Sequence, residues 1–581
     1  MVFVLLPVSL LLAVLLLIPE VLGDFVAYQI GLYLIYGIAA QGIGYLWGKT
    51  GILPLGQALF FGVAAYATAM TLRNIDSLSM QLGLTVVVMA AIGVLAYGLA
   101  TLIFRGRSES GPYFSLITLA LVMIAEQVAN TASGLTGGFN GLSGYSSIGG
   151  LDPYGNFYYL IVGCTVAVSA ALLILNRLPV NLVVKGVADN EPRLQLLGFA
   201  THKIKAAAFA ASAVIAALAG GLFASHQGIV TPTSTGFGLS AELVILAAIG
   251  GRFHVLGPLV GSVLVGWASA ELRDSFPYWE IVMALGFILV VLKAPGGLSE
   301  LIEQVTRRFW TPSPPANTDI VNAPQPRAPR VLAPLVFEDV KLKIGVVRIL
   351  NGVTFETPAK GIVSIIGPNG AGKTSALNTI TSNLDVTAGH IHLGDTPIEN
   401  RAPHAALGNG IGRKLQVPSV FFSMSVAENL TLAMLAGRAG WNDLFRKSTF
   451  SWHSEALARV MANPSLSLEG DLGKMAGSLP QGHRQFLEFA MTTASEPTLL
   501  LLDEPCAGLS PDETAVMTQL VQEFQNQSGG LVIVIEHDMS IVEAISDKVL
   551  VLHQGQVLAF DTYENVRADP QVQSVYAGAT K

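Results

Sequence analysis

Apolar residues form long blocks in the first half of this chain and short, punctuated runs in the second. Met1 to Gly23 is almost continuously apolar, and further runs recur near 26–47, 52–72, 80–104, 113–132, 157–176, 206–227, 239–250, 254–270 and 276–293. Most approach the ~20 residues that a helix needs to cross a bilayer, so the pattern predicts about ten spans. No positive charge precedes the first run, which reads as a retained membrane helix rather than a secretory signal. The run at 239–250 is short and ends in Gly250-Gly251, the pattern of a half-helix or a broken one. Gly48-Lys-Thr-Gly51 with Pro54-Leu-Gly56 predicts a second interruption, of the kind transport sites within membranes require. Past residue 334 the apolar runs shorten to Gly361–Ile366, Leu499–Leu502 and Leu531–Ile535, which read as buried strands. Between the two regimes, Pro312, Pro314, Pro315, Pro324, Pro326, Pro329 and Pro334 mark an extended linker. The expected organisation is a membrane domain at 1–308, a linker at 309–334 and a soluble domain at 335–581.

Composition sharpens that division. The chain is 51% hydrophobic and 13% charged, and residues 1–310 carry 14 Lys+Arg against 14 Asp+Glu, so the whole net charge of −7 falls on the remainder. An acidic soluble half argues against nucleic acid as a partner, because phosphate backbones need clustered cations. Cys164 and Cys506 lie in opposite halves without metal-ligand spacing, so neither a disulfide nor a metal centre is expected, and the soluble half belongs to a reducing compartment.

Lysine and arginine placement sets orientation. Arg177, Lys185, Arg193, Lys203 and Lys205 form the largest positive cluster of the first half. Arg105 and Arg107 lie two spans earlier, and Lys293, Arg307 and Arg308 four spans later. Even spacing puts all three groups in the cytoplasm, together with the N-terminus and the soluble domain. Within the cluster, Lys185 to Gly198 reads as a short amphipathic helix with Pro192 early and Gly198 as its stop. It is the candidate cytoplasmic element for contact with the soluble half.

The soluble half carries the chemistry. Gly367-Pro-Asn369-Gly370-Ala371-Gly372-Lys373-Thr374-Ser375 follows a strand pattern and opens a helix pattern. Such a turn cradles phosphates on backbone amides, with Lys373 at the terminal phosphates and the Thr374 hydroxyl on magnesium. Leu499–Asp503-Glu504 is a strand ending in two acids, Asp503 for the magnesium shell and Glu504 to polarise a water. His537 ends another strand pattern, where ligands of parallel sheets bind. Gln416 precedes Met424-Ser-Val-Ala-Glu-Asn-Leu430 and is a candidate for magnesium or the attacking water. Ser478-Leu479-Pro-Gln-Gly482-His483 is a second glycine turn before a helix, and Ala507-Gly-Leu-Ser510 follows the two acids.

This ordered set resembles the ATP-binding cassette (ABC) ATPases: Walker A at 367–375, Q-loop Gln416, signature at 479–483, Walker B with Glu504, D-loop and switch His537. The resemblance implies a nucleotide sandwich dimer in which each ATP is completed by the other subunit's signature. Leu479, Gly482 and Ser510 would then serve the partner's ATP, and Ile344 stands where an aromatic usually meets adenine. Glu488-Phe-Ala-Met491 and Asp503-Glu-Pro-Cys-Ala-Gly-Leu-Ser510-Pro511 narrow the resemblance to the ATPases of branched-chain amino acid importers. Gly48 through Tyr66, Gly111 through Ala120, Thr136-Gly-Gly-Phe-Asn-Gly141, Asp189-Asn-Glu-Pro-Arg193, Glu242 through Gly251 and Gly257-Pro-Leu-Val-Gly261 resemble the permease family of the same system.

The expected fold is thus an all-α permease fused to an α/β P-loop ATPase in a bacterial inner membrane, multi-pass, with the ATPase cytoplasmic. The resemblance implies ATP and Mg²⁺ as cofactors and import of branched-chain or related amino acids. Urea or short amides are the alternative cargo, and an ATP-gated regulatory membrane protein is the alternative class. Partners would be second permease and ATPase subunits, or a second copy of the chain, a periplasmic solute-binding protein and membrane lipid. Glu126, Asn140 and Glu242 are the candidate substrate-path residues, since carboxylates within spans must face protein or water. The signature departs from the family's LSGGQ-like form, reading Leu479-Pro480-Gln481-Gly482-His483, which predicts a weaker clamp on the partner's ATP.

Overall fold

The computed structural model describes residues 2–105, 111–294, 296–300, 332–437, 444–445, 457, 460–461 and 470–578. The expected linker lies outside them up to residue 331, as do Arg107, Arg307 and Arg308. The chain forms two compact units: Met1–Ala188 with His202–Ser313, and Asp189–Thr201 with Pro314–Lys581.

The first unit is helical. Each of the ten apolar runs falls on a helix. The first six are α1 (Val2–Leu22), α2 (Asp24–Thr50), α3 (Gln57–Asn74), α4 (Leu78–Phe104), α5 (Gly111–Thr131) and α6 (Phe157–Leu175). After a more polar helix, α7 (Pro179–Leu196), come α8 (Thr201–Gln227), α9 (Phe237–Gly250), α10 (Gly257–Ser275) and α11 (Trp279–Lys293). Among the described residues α2, α4, α5, α6 and α8 are the five long and apolar enough to cross a membrane. The interruption expected near Gly51 is present. Gly51 takes φ 74°, its N–H closes on the Trp47 carbonyl, and the backbone stays irregular until Gln57. The half-helix expected at 239–250 is α9, of 14 residues, ended by Gly251 at φ 111°.

Small residues let these helices approach closely. A Cβ on Gly220 would run into the Phe61 backbone, and one on Gly62 into Ser234 and Thr235. Buried amides are paired across helices: Gln41 donates to Ser169 Oγ at 2.9 Å and to the Val255 carbonyl at 3.0 Å, and Gln57 donates to Ser212 Oγ at 3.0 Å. A two-residue antiparallel pair, β1 (Leu142–Ser143) on β2 (Ile229–Val230), is too short to leave a period-two signal in the sequence.

The second unit is built on two sheets. One has six strands in the order β12-β11-β5-β10-β9-β8, where β5 is Gly361–Ile366, β8 Ile411–Lys414, β9 Leu499–Asp503, β10 Leu531–Ile535, β11 Lys548–His553 and β12 Gln556–Asp561. All are parallel except β12. β5, β9 and β10 are buried at every position, which is why their sequences are continuous aliphatic runs rather than alternating ones. The other sheet, β4-β3-β6-β7, is antiparallel, with β3 at Leu335–Ile344, β4 at Val347–Glu356, β6 at Ala388–Leu393 and β7 at Thr396–Pro397. An all-α membrane domain and an α/β ATPase-type domain therefore coexist in one chain, as the sequence predicts.

The helix expected over 185–198 is drawn differently. α7 runs Pro179–Leu196 but breaks at Asn190, whose φ −154° and ψ 81° are extended. The part before the break forms one helical stretch, and a new one begins after Asn190, whose Oδ1 accepts from Arg193 N at 3.1 Å as a cap. Pro192 does sit early in it, and Gly198 ends it at φ 85°. Proline disfavours helical geometry in the residue before it, and the asparagine cap places the stop one residue earlier still.

Candidate active site

Parallel register decides which side chains meet. Ile535 aligns with Asp503 on β9 and with Ile365 on β5, so three strands end at one edge. Their continuations carry Gly367, Glu504 and His537 to that edge, where ligands of parallel sheets bind.

The phosphate loop follows β5. A Cβ on Gly367 would run into the Leu552 carbonyl, and Gly370 stands at φ 81° with open space around it. The first glycine is thus required by the neighbouring strand, the second by the turn. The loop opens helix α12 (Lys373–Ile380). Lys373 is buried, and its Nζ donates to the carbonyls of Gly367 at 2.8 Å and Pro368 at 3.1 Å, so the ammonium lies inside the loop. Burial lowers its pKa, opposed by Glu504 and Asp503.

Thr374 Oγ1 donates to Asp503 Oδ1 at 3.4 Å. Burial raises the Asp503 pKa, with Glu504 adding to the rise, while Arg413 and Thr374 oppose it. A hydroxyl and a carboxylate oxygen side by side are the hard oxygen donors that Mg²⁺ takes, and both residues fit that ion. Glu504 is held at φ 47°, a left-handed conformation rare for a side chain of this size, and its N–H donates to the Ile535 carbonyl at 2.9 Å. Its Oε1 lies 3.0 Å from His537 Nε2. Strain of this kind aims a carboxylate where relaxed backbone would not.

Gln416 is exposed on the bend after β8. Ile344 is 48% exposed at the end of β3, opposite Val347. Asn369 and Ser375 belong to the phosphate loop and the first turn of α12. Leu479, Gly482 and Ser510 form a second group at the start of helices α13 (Gln481–Thr493) and α14 (Pro511–Ser528). There the Ser510 hydroxyl accepts from Glu513 N in a capping box. A Cβ on Gly482 would run into the Glu513 carboxylate, and the Gln481 amide lies 2.8 Å from where a Cβ on Gly508 would stand. In the first unit, Glu126 lies over Gly236 at the start of α9, 2.6 Å from where a Cβ would stand, while Glu242 on α9 and Asn140 are exposed.

Sequence reasoning missed a buried charge cluster in the second unit. Arg193, 1% exposed, donates to the Arg413 carbonyl at 2.8 Å, the Glu488 carbonyl at 3.3 Å and Thr492 Oγ1 at 2.9 Å. Its guanidinium also stands 3.5 Å from Glu488 Oε1. Glu488 is 0% exposed; its Oε1 accepts from Leu415 N at 3.0 Å, and Lys414 Nζ lies 3.9 Å from its Oε2. Arg413 donates to Thr381 Oγ1 at 2.7 Å and the Leu377 carbonyl at 3.2 Å, and approaches Asp503 Oδ2 at 3.9 Å. Burial pushes the Glu488 carboxyl up, against Arg193 and Lys414, and pushes Arg413 down to about 10. Their close spacing is what makes such buried charges tolerable.

The family described as branched-chain amino acid transport system, permease component, matches residues 25–292, and the ABC transporter family matches 350–507. The high-affinity branched-chain amino acid transport ATP-binding protein BraF of Pseudomonas aeruginosa is 34% identical over 247 residues, 41% of this chain and 94% of that protein. LivG of Escherichia coli, of the same description, is 35% identical over 241 residues, covering 41% and 94%. This chain belongs to the branched-chain amino acid ABC transporter family. The transporter carries permease and ATP-binding parts in one polypeptide. A probable LivG of Methanocaldococcus jannaschii is 29% identical over 247 residues, 42% of this ABC transporter and 96% of that relative. The resemblance read from the motifs is therefore borne out, and with it an ATP-binding domain joined to a membrane domain.

Proposed function

We propose that this ABC transporter imports branched-chain or related amino acids across a bacterial inner membrane at the expense of ATP. Its assembly contains second permease and ATPase subunits and receives solute from a periplasmic binding protein. The single observation that carries the reading is the meeting of Lys373, Thr374, Asp503, Glu504 and His537 at one sheet edge, in a chain that also carries the permease. The likeness to the branched-chain amino acid transport proteins BraF and LivG favours amino acids over urea or short amides.

In this reading the amides of the 367–375 loop and Lys373 hold the ATP phosphates, and Ile344 gives adenine an apolar contact. Thr374 and Asp503, with Gln416, would hold Mg²⁺, which neutralises phosphate charge. Glu504 takes the proton of the attacking water, and His537 keeps that carboxylate aimed. Leu479, Gly482 and Ser510 complete the partner's ATP. Glu126, Asn140 and Glu242 line the solute path. The segment after Asn190 passes the ATPase's motion to the permease.

The test is ATP turnover of the assembled complex in proteoliposomes, with a solute-binding protein and leucine inside or outside. Turnover and labelled leucine uptake rising together support import. Turnover indifferent to both, with no uptake, would overturn it.

A further inference from the structure

The segment after Asn190, whose general role in coupling is proposed above, carries side chains with a narrower role, which rests on that proposed function. Asp189, Asn190 and Arg193 each grip a different point of the second unit. Asp189 Oδ2 accepts from Ser423 N at 2.9 Å and Ser423 Oγ at 3.0 Å. Asn190 Nδ2 donates to Ser419 Oγ at 3.0 Å and the Val420 carbonyl at 3.2 Å. Arg193 holds Arg413 and Glu488. Gln416 lies between these grips, three residues from Arg413 and three from Ser419. The exposed bend that carries Gln416 is therefore tethered at both ends by one short segment.

The tether on the Arg413 side reaches further. Arg193 fixes the Arg413 backbone, while the Arg413 side chain binds the C-terminal turn of α12 through Leu377 and Thr381 and stands beside Asp503. One arginine thus sets the backbone of another whose guanidinium touches the helix behind the phosphate loop and the carboxylate expected at the metal. Glu488 locks the same arrangement from below, accepting from Leu415 N while facing Arg193. We propose that Arg193 is a positioning residue for ATP hydrolysis: seated in this socket, it holds Gln416 and, through Arg413, Asp503 in the geometry that turnover needs.

An arginine fork can satisfy two carbonyls, a carboxylate and a hydroxyl at once, which a lysine ammonium cannot. Arg193→Lys keeps the charge and loses the fork. Arg193→Met with Glu488→Gln removes both charges, so that no carboxylate is left orphaned, while the Lys414 ammonium keeps the attraction of Glu536. Each variant is made in the full chain, assembled with its partner subunits. The quantities measured are kcat, the KM for ATP, the Mg²⁺ concentration for half-maximal turnover, and binding of a fluorescent ATP analogue with and without Mg²⁺.

Both variants should lower kcat at least about tenfold, inside the roughly hundredfold that a 1 Å misplacement costs, with the KM for ATP little changed. Half-activating Mg²⁺ should rise severalfold, and Mg²⁺ should strengthen binding of the analogue less than in the parent. A double variant that folds and keeps parental kcat and Mg²⁺ dependence would overturn the proposal, since Arg193 would then only fill space. Loss of solute stimulation with basal kcat and Mg²⁺ dependence intact would also overturn it, while leaving the coupling role of the segment standing. If the parent itself ignores solute, import falls instead, and the basal measurements still decide the role of Arg193.

Discussion

The transporter's two glycine turns, 367–375 and 479–483, both lead from irregular backbone into a helix, yet they are built to opposite ends. The first is open and cationic. Gly370 is free on its Cβ side, and Lys373 points its ammonium into the loop. The second is filled and acidic: the Glu513 carboxylate packs against Gly482, the Gln481 amide covers Gly508, and Pro480 caps α13 with no side-chain bond. His483 turns away to Asp471, 3.3 Å from its Oδ2. A shared pattern of glycine before helix therefore does not imply a shared capacity for phosphate; the neighbours decide it.

The largest effect should come from the chemistry beside the open turn. With Glu504 as the base, Glu504→Gln keeps the hydrogen-bonding shape and removes the proton acceptor. Turnover should fall by about 10²–10⁴, the range for a lost general base, while ATP binding persists. Steady-state turnover at the parental level, with the partner's site disabled, would remove Glu504 from the role and with it the functional weight of the contrast.

A smaller effect should separate the two turns directly. On the proposed sandwich arrangement, ATP on Lys373 would meet the partner's signature, whereas ATP on the partner would meet this chain's filled turn. Lys373→Ala should lower transport about a hundredfold, as the loss of one phosphate-stabilising donor does, and the matching change in the partner should cost at least about tenfold less. Equal losses would mean that the two turns perform alike, and would favour a pair of identical chains.

The same contrast explains what could be read from the sequence alone. The open turn was legible because its requirements are local: an aliphatic strand, glycines and a helix start, all within residues 361–380. Asp503, Glu504 and His537 were legible because parallel strands end where ligands bind. Arg193, Arg413 and Glu488 were not, because a charged residue carries no local sign that it is buried, whether it stands among polar neighbours like Arg193 or between Leu487 and Phe489 like Glu488. Their partners lie far along the chain, Thr381 for the Arg413 side chain and Arg193 for the Glu488 carbonyl, 32 and 295 positions away. The break at Asn190 was hidden for a related reason: the apolar spacing across residues 179–196 continues through it, and the cap is a single side-chain contact. The occupants of the second turn were half legible. The sequence showed Pro480 and Gln481; it could not show Glu513 beside Gly482.

The smallest effect tests those occupants. Pro480→Ser with Gln481→Gly would give α13 a hydroxyl able to cap its free amides and would lift the amide off Gly508. A glycine at the first helical position costs some helix stability, and the new cap offsets it, so the fold should change little. In a Lys373→Ala background only the partner's ATP remains to report on this turn. Its turnover should rise about two- to fivefold, the yield of ~0.5–1 kcal/mol of added transition-state contact. Adding Glu513→Gln should raise it again, because a neutral amide beside Gly482 repels a γ-phosphate less than a carboxylate does. No rise in either variant would mean that the filled turn already binds phosphate as well as an open one, and that the difference between the two turns is one of packing alone.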